Sequence, residues 1–225
     1  MKVTTDACLF GAWAADQDKS EKIKVKNVLD MGTGTGLLSL MYAQKHPSSK
    51  IDAIDIDESA SQQAKENVSA SPFADGINVI HDDVNEFAFS EKYDRIISNP
   101  PFYEKEIGST NEKKNIAHHH AGLRFEEVMD VIKENLSDAG TFYLLLPFKR
   151  NEEIRQIFLR RQLWVSKIAF VKQSTNHNYF RIMIAGKFHQ EDNTETLVEE
   201  ISIWNQQQHY TNEFKELLKE YYLYL

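Results

Sequence analysis

The stretch VLDMGTGTG, residues 28–36, determines the predicted fold class, because an apolar run passes directly into three glycines. The run VLDM predicts a buried strand. Gly32, Gly34 and Gly36 permit a tight turn and let backbone amides approach a ligand that a Cβ atom would obstruct. Their spacing is G-x-G-x-G, which differs from the G-x-G-x-x-G of dinucleotide-binding enzymes. On its own, this loop is as typical of a structural turn as of a ligand-binding turn.

Beyond this loop, short apolar strands alternate with helix-like segments. Strands are predicted at 27–32, 50–57, 77–83, 93–99 and 140–147, and helices at 36–46, 58–70, 124–137 and near 151–161. Two further strands, 163–171 and 179–188, have no helix between them and predict an antiparallel hairpin that closes one edge of the sheet. The tail, 210–225, has the pattern of an amphipathic helix. We therefore expect an α/β fold with a seven-stranded, mostly parallel sheet and helices on both faces.

The composition is that of an ordinary globular protein, with 41% hydrophobic and 27% charged residues in 225. No repeat or linker divides the chain, so we expect one domain over 1–225, with a cofactor-side segment (1–25), a cofactor-binding and catalytic core (26–147) and C-terminal edge strands and helix (148–225). No apolar run approaches the ~20 residues that cross a bilayer. Cys8 is the only cysteine, which excludes an internal disulfide and favours the cytoplasm.

The charge balance is unfavourable for a nucleic-acid-binding protein. The chain has 26 Lys and Arg against 34 Asp and Glu, a formal charge of −8, and contacts to phosphates usually dominate affinity for nucleic acids. A local basic patch on an acidic protein stays open as an explanation.

Acidic residues follow three successive predicted strands. Asp30 precedes the glycines, Asp55 ends the second strand at the position where an acid accepts hydrogen bonds from ribose hydroxyls, and Asp83 follows the third, where an acid can accept from an adenine amino group. Asp57 competes with Asp55, although it also suits the N-cap of the next helix. Ligands of open α/β sheets bind at the carboxyl ends of the strands. The pattern therefore favours a ligand that contains ribose and adenine.

The fourth predicted strand runs into the sequence NPPF in YDRIISNPPFYEKE (93–106). The side-chain oxygen of Asn99 and the backbone carbonyl of Pro100 can both accept hydrogen bonds from a planar amine, whose lone pair is otherwise delocalised. Pro101 stiffens the turn, and Phe102 offers a face on which a base can stack. This is catalysis by positioning and preorganised electrostatics, so we predict that Asn99, Pro100, Pro101 and Phe102 form the catalytic centre.

Together these residues resemble the S-adenosylmethionine-dependent methyltransferases of the Rossmann-like class, and NPPF is similar to the motif of the branch that methylates planar amines. More narrowly, MKVTTDACLFGAWA (1–14), IISNPPFYEKE (96–106) and YTNEFKELLKEYYLYL (210–225) resemble the bacterial tRNA1(Val) (adenine(37)-N6)-methyltransferase family. The resemblance implies S-adenosylmethionine as cofactor and the N6 amine of adenine 37 in tRNA, beside the anticodon, as methyl acceptor. The predicted cofactor-binding residues are Asp30, Gly32, Thr33, Gly34, Gly36, Asp55, Ile56, Asp83 and Asn99.

The polar segment after NPPF, residues 103–124, has the length and composition of a substrate-facing loop, although a solvated loop is equally compatible. Its candidate contacts to tRNA are Tyr103, Lys105, Lys113 and Lys114. Its histidines, 118–120, are consecutive and cannot easily converge on one ion, so no metal is expected. Methylation of guanine or cytosine amines in ribosomal RNA, or of a protein glutamine amide, stays open. We expect a monomer or weak homodimer with no membrane partner.

Overall fold

The structure, a computed structural model, describes residues 2–18, 25–100, 125–190 and 194–225. The helices are α1 (Thr5–Gln17), α2 (Leu37–Lys45), α3 (Glu58–Ser69), α4 (Phe125–Asn135), α5 (Asn151–Arg161) and α6 (Asn212–Leu218). The strands are β1 (Asn27–Met31), β2 (Lys50–Asp55), β3 (Ile77–His81), β4 (Tyr93–Ser98), β5 (Leu136–Pro147), β6 (Trp164–Ser174), β7 (Tyr179–Lys187) and β8 (Leu197–Trp204). No helix in these ranges is long and apolar enough to span a bilayer.

The strands form one sheet in the order β3-β2-β1-β4-β5-β7-β6-β8. Strands β1 to β5 pair in parallel, and β7 is antiparallel to both β5 and β6. The predicted α/β class, the mostly parallel sheet and the antiparallel hairpin are confirmed. The predicted count of seven strands is wrong in one detail, because β8 adds an eighth strand parallel to β6. The β6–β7 hairpin therefore lies inside the sheet, and β8 forms the edge.

Helices cover both faces of the sheet, as predicted. One buried cluster joins α1, α2 and α6 to the sheet through residues such as Phe10, Met41 and Phe214. A second cluster joins α4 and α5 to the opposite face through residues such as Met129 and Phe158. Each face therefore has its own core, and the site must lie where neither core reaches, at the ends of the strands.

The two ends of the chain differ from the pattern that the sequence suggested. The stretch before β1 contains a buried helix, α1, whose N-terminal Asp6 pairs with Arg181 at the start of β7. The predicted tail helix at 210–225 is wrong in length, because α6 spans only Asn212–Leu218. After it, the amides of Tyr221 and Tyr222 both donate to the carbonyl of Leu218, which turns the chain out of the helix.

Candidate active site

The carboxyl ends of the first four strands meet at one edge of the sheet. Met31 at the end of β1 pairs with Ile54 on one side and with Ser98 on the other. Asp55 at the end of β2 pairs with His81 at the end of β3. The loops that carry the glycines, the acids and Asn99 are therefore neighbours, as the sequence predicts. The structure brings these predicted residues to one edge, hereafter the carboxyl edge.

The glycine loop has the backbone conformation that its sequence suggests. Gly32 and Gly34 have φ angles of 68° and 58°, in the left-handed region where a side chain is strained. The amides of Gly32 and Thr33 both donate to the carbonyl of Ile54, at 2.9 and 3.1 Å, which ties the loop to the end of β2. A Cβ atom on Gly32 would meet nothing within 4 Å. The space above Gly32 is therefore open to a ligand.

Asp30 organises this loop from beneath. Its Oδ2 atom accepts hydrogen bonds from the Thr33 hydroxyl (2.7 Å) and from both the amide (3.1 Å) and the hydroxyl (2.6 Å) of Ser39. Its Oδ1 atom is buried without a hydrogen-bond partner in the described part of the chain. Burial raises the pKa of Asp30 to about 6, although the bonds from Ser39 and Thr33 oppose this rise. A buried acceptor without a donor fits a cationic group of a ligand, such as an α-ammonium group.

Asp55 and Asp57, the two candidates for the ribose contact, have different roles. Asp57 is the N-cap of α3, and its Oδ1 atom accepts from the amide of Ala60 at 2.8 Å, so its predicted capping role is confirmed. Asp55 accepts from the amide of Gly34 at 2.8 Å and from that of Asp57 at 3.0 Å. A carboxylate has about four lone-pair positions. Asp55 therefore keeps acceptor capacity at the carboxyl edge, whereas Asp57 stabilises a helix.

The two remaining predicted cofactor contacts beyond β2 and β3 are accessible. The Ile56 side chain is 60% exposed and presents an apolar surface directly after β2. Asp83 accepts from the amide and side chain of Asn85 through Oδ1, both at 2.9 Å. Its Oδ2 atom makes no hydrogen bond to another residue that the structure describes. An apolar face and an unused acceptor at this position fit the face and the amino group of an adenine ring.

Asn99 follows β4 directly and is exposed, whereas Pro100 is buried. No described residue donates to or accepts from the Asn99 side chain, so its amide can meet a substrate. The preceding residue, Ser98, is fully buried, and its hydroxyl donates to the carbonyl of Met31 at 2.8 Å. This bond fastens the strand that carries Asn99 to the strand that carries the glycine loop.

The other predicted substrate-side residues lie outside the described residues. These are Pro101, Phe102, Tyr103, Lys105, Lys113 and Lys114, together with the histidines at 118–120. Within the described ranges, no cluster of three or more His, Cys, Asp or Glu side chains has the arrangement of a metal site.

The sequence interpretation missed two positioning residues, Ser39 and Ser98. Both are polar residues at fully buried positions of apolar segments, LLSLM and RIIS. A buried hydroxyl needs a hydrogen-bond partner, so its place on the inner face of a helix or at the end of a strand is itself a signal. What the sequence lacks is the identity of that partner, which only the packing of β1 against α2 and β4 supplies.

Comparisons with known proteins identify the family of the chain. The methyltransferase small domain model matches residues 16–142. The chain is 36% identical to a tRNA1(Val) (adenine(37)-N6)-methyltransferase of Dyadobacter fermentans over 99% of this chain and 91% of that protein. It is 35% identical to a protein of the same name from Proteus mirabilis over 100% of this chain and 88% of that protein.

Solved structures support the fold. A predicted O-methyltransferase from Agrobacterium tumefaciens superposes with a TM-score of 0.67 at 13% identity, over 94% of this chain and 95% of that one. A glycopeptide N-methyltransferase in complex with S-adenosyl-L-methionine gives a TM-score of 0.57 at 10% identity, over 80% and 94% of the two chains. At these identities the likeness extends to the fold alone. The sequence matches go further: the chain belongs to the methyltransferase small domain family and, within it, to the family of tRNA1(Val) (adenine(37)-N6)-methyltransferases.

Proposed function

We propose that this protein is an enzyme that transfers a methyl group from S-adenosylmethionine to the exocyclic N6 amine of adenine in tRNA, at position 37 of tRNA1(Val). The observation that carries the proposal is the match to relatives of that name over essentially the whole chain, at 36% and 35% identity. The geometry supports it independently, because the carboxyl edge places an accessible Asn99 beside an open glycine loop.

The residues at the carboxyl edge fit S-adenosylmethionine part by part. Asp30 would hold the ammonium group, the backbone from Gly32 to Gly36 the methionine portion, and Asp55 the ribose hydroxyls. Ile56 would cover the face of the adenine ring, and Asp83 would accept from its amino group. When bound, S-adenosylmethionine supplies an electrophilic methyl group on a sulfonium centre. This assignment uses the buried Oδ1 atom of Asp30, the remaining acceptor capacity of Asp55 and the exposed Ile56 side chain.

The methyl acceptor is a planar amine whose lone pair is delocalised into the ring. The Asn99 side-chain oxygen and the Pro100 carbonyl would accept hydrogen bonds from this amine, which orients it and localises the lone pair for attack. Pro101 would stiffen the turn and Phe102 would stack on the base, while Tyr103, Lys105, Lys113 and Lys114 would contact the tRNA. The target base must leave its stack to reach the site, which is easier in an anticodon loop than in a duplex.

We propose in addition that the chain acts as one methyltransferase domain in the cytoplasm, as a monomer or weak homodimer and without a metal. The two cores share one continuous sheet, which supports a single domain. Sedimentation of the purified protein over a range of concentrations tests the oligomeric state, and activity after treatment with a chelator tests the independence from metal.

The function itself is tested by transfer of tritiated methyl groups from S-adenosylmethionine to bulk tRNA from a strain that lacks this enzyme, followed by nucleoside analysis. The expected result is label in N6-methyladenosine. Label in another nucleoside, or label in ribosomal RNA or protein with none in tRNA, would contradict the proposed acceptor and would favour a different planar amine.

A further inference from the structure

Positive charge is concentrated in one segment of this acidic protein. Residues 154–190 contain seven Lys and Arg and no Asp or Glu, whereas the other 188 residues contain 19 Lys and Arg against 34 Asp and Glu. The segment includes most of α5, all of β6 and β7 and the turn between them. This segment is therefore the part of the sequence that would repel a negatively charged partner least.

One end of this segment lies at the carboxyl edge. Pro147 at the end of β5 pairs with Arg181 at the start of β7, and Lys172 near the end of β6 pairs with Tyr179. Strand β5 is in turn the neighbour of β4, which carries Asn99. Because adjacent strands are about 4.8 Å apart, β7 lies ~10 Å and β6 ~14 Å from β4. The start of β7 also extends past the level of Asn99, since Ser98 pairs with Leu144 whereas Arg181 pairs with Pro147. Nucleotides a few positions from a base held at Asn99 would reach this part of the surface.

An aromatic cluster is present at this end of the segment. The rings of Phe148, Phe170 and Tyr179 lie 5.1 to 5.9 Å apart, and all three are half-buried. The Lys172 ammonium lies 4.8 Å from the centre of the Tyr179 ring. Half-exposed aromatic rings beside a cation are the groups on which proteins stack single-stranded bases.

The turn between β6 and β7, residues 175–178, is exposed and made of Thr, Asn, His and Asn. It is held from behind by the buried Ser174. The Ser174 carbonyl accepts from the amide of His177 at 3.0 Å, and the Ser174 hydroxyl lies 2.5 Å from His177 Nδ1. The amide of Thr175 donates to the carbonyl of Trp204 on β8 at 3.0 Å. A fixed turn with amide, hydroxyl and imidazole groups can bind the edges of bases with little loss of entropy.

Acids from other elements neutralise part of the charge of this segment. Lys172 pairs with Glu200 at 2.7 Å and Arg181 with Asp6 at 2.8 Å, and Arg161 pairs with Asp130. Arg155 and Arg160 are exposed on α5 and make no ion pair with the residues that the structure describes. At the carboxyl edge, the aromatic cluster is therefore a stronger candidate for contact with RNA than the paired cations are.

We infer that the aromatic cluster (Phe148, Phe170 and Tyr179), Lys172 and the turn at 175–178 bind the single-stranded nucleotides that flank the target base in the anticodon loop. This inference rests on the proposed function. Contacts to neighbouring nucleotides set the choice of substrate in other enzymes that act on an extruded base. A contact made mainly through ring stacking also lessens the conflict between the formal charge of −8 and an RNA substrate, because stacking does not depend on net charge.

The test measures the dissociation constant of the full chain for a fluorescent RNA stem-loop with the anticodon-arm sequence of tRNA1(Val). Tyr179→Ala is expected to weaken binding about 10-fold, the loss of one stacked base, whereas Tyr179→Phe keeps the ring and wild-type affinity. Lys172→Ala is expected to weaken binding about threefold through the lost cation at the ring. The matched control is Lys187→Ala, which removes the same charge from the opposite end of the β6–β7 pair and should leave affinity within twofold.

Affinity for S-adenosylmethionine and the midpoint of thermal unfolding are measured for every variant. Wild-type RNA affinity in both Tyr179→Ala and Lys172→Ala would overturn the inference, as would equal losses in Lys172→Ala and Lys187→Ala, which indicate general electrostatic attraction. If the Tyr179→Ala variant does not fold, the inference is tested by comparing the RNA affinity of Lys172→Ala with that of Lys187→Ala. Failure of the proposed function is visible separately, as wild-type protein that forms no N6-methyladenosine in tRNA, and the inference would fall with it.

Discussion

At the scale of single residues, the proposed catalytic and cofactor-binding roles belong to residues on different strands. Asn99 is exposed after β4, whereas Asp55 lies on the far side of the glycine loop, bound to the amide of Gly34. Asn99→Ala is therefore expected to lower the rate of methyl transfer by at least 100-fold, a typical loss for a preorganised hydrogen-bonding group. Its cofactor affinity should stay within twofold of the wild-type value.

Asp55→Ala is expected to weaken cofactor binding. Calorimetric titration with S-adenosylhomocysteine and single-turnover kinetics measure the two effects.

The matched control for these variants is Asn78→Ala, which removes an exposed amide that donates to Asp52 away from the carboxyl edge. It should leave both quantities unchanged. Equal loss of binding and turnover in Asn99→Ala would contradict the role of Asn99 as a group that positions the amine. Unchanged cofactor affinity in Asp55→Ala would move the ribose contact away from Asp55.

The raised pKa of Asp30 predicts that cofactor binding depends on pH. Burial raises the pKa of Asp30 to about 6, above the 3.8 of an unperturbed carboxyl. In the cofactor-free protein, burial favours the protonated form of the Asp30 carboxyl. Its contribution to the free energy of unfolding is therefore fully present below pH 3.8 and is lost as the pH rises through 6. A cationic ammonium group prefers the ionised form. Affinity for S-adenosylmethionine should therefore fall about 10-fold between pH 7 and pH 5.

Binding titrations at pH 5, 6 and 7 check this expectation, with Asp30→Asn as the control. The variant has no titrating carboxyl at this position, so its affinity should be weak and nearly constant over the range. A wild-type affinity that does not change with pH, or an Asp30→Asn variant that keeps the wild-type pH dependence, would contradict the contact between Asp30 and the ammonium group.

At the scale of elements, a buried ionic network holds α1 against the sheet. Asp18, directly after α1, accepts from Arg95 of β4 at 2.7 and 2.6 Å and from the hydroxyls of Tyr42 (2.6 Å) and Tyr143 (3.2 Å). All four side chains are buried. Asp18→Ala leaves the Arg95 charge buried without this carboxylate, so we expect a loss of about 3–5 kcal/mol in the free energy of unfolding.

Denaturation by urea measures this loss, and Asp75→Ala, which removes an exposed acid before β3, is the control expected to stay within about 0.5 kcal/mol. A loss in Asp18→Ala no larger than in the control would show that the network does not hold α1 in place. Within the network, Arg95 pairs with Val28 near the start of β1, and Asp18 contacts none of the predicted cofactor residues. Cofactor affinity should therefore change only where the protein unfolds.

Most elements could be predicted from the sequence because each has a local signal. Strands β1 to β4 are apolar runs that end at glycine, acid or proline, and every predicted boundary lies within two residues of the observed one. Helix α1 has no such signal, because its residues are apolar on all sides and its burial depends on α2, α6 and the network at Asp18. Strand β8 also escaped prediction, since Glu199 and Glu200 interrupt its apolar pattern and are compensated by Lys167 and Lys172 of β6.

The same distinction applies to the site. Glycine spacing and the acids at strand ends are local signals, so the position of Gly32, Asp55 and Asn99 at one edge of the sheet could be predicted. Tertiary partners are not local, so the bonds from Ser39 to Asp30 and from Ser98 to Met31 emerged only with the fold. The distance from Asp57 to the amide of Ala60 shows that Asp57 caps α3, which favours Asp55 as the residue for the proposed ribose contact.

At the scale of the whole molecule, the two proposed binding sites lie along a single edge of one sheet. The glycine loop and the acids of β1 to β3 occupy one half of the carboxyl edge, and the β6–β7 turn with its aromatic cluster occupies the other. Asn99 lies between them, at the end of β4. With the proposed sites, this order would bring the cofactor from one side and the RNA loop from the other, so that the methyl donor and the amine would meet at the middle of the sheet.

The most direct test of this account is methyl transfer by the purified protein to a tRNA1(Val) transcript, compared with a transcript in which adenine 37 is replaced by guanine. The account predicts N6-methyladenosine in the first transcript, approaching one methyl group per molecule, and none in the second. Equal labelling of both transcripts, or label in neither while the protein binds S-adenosylmethionine, would contradict the assignment of adenine 37 as the methyl acceptor.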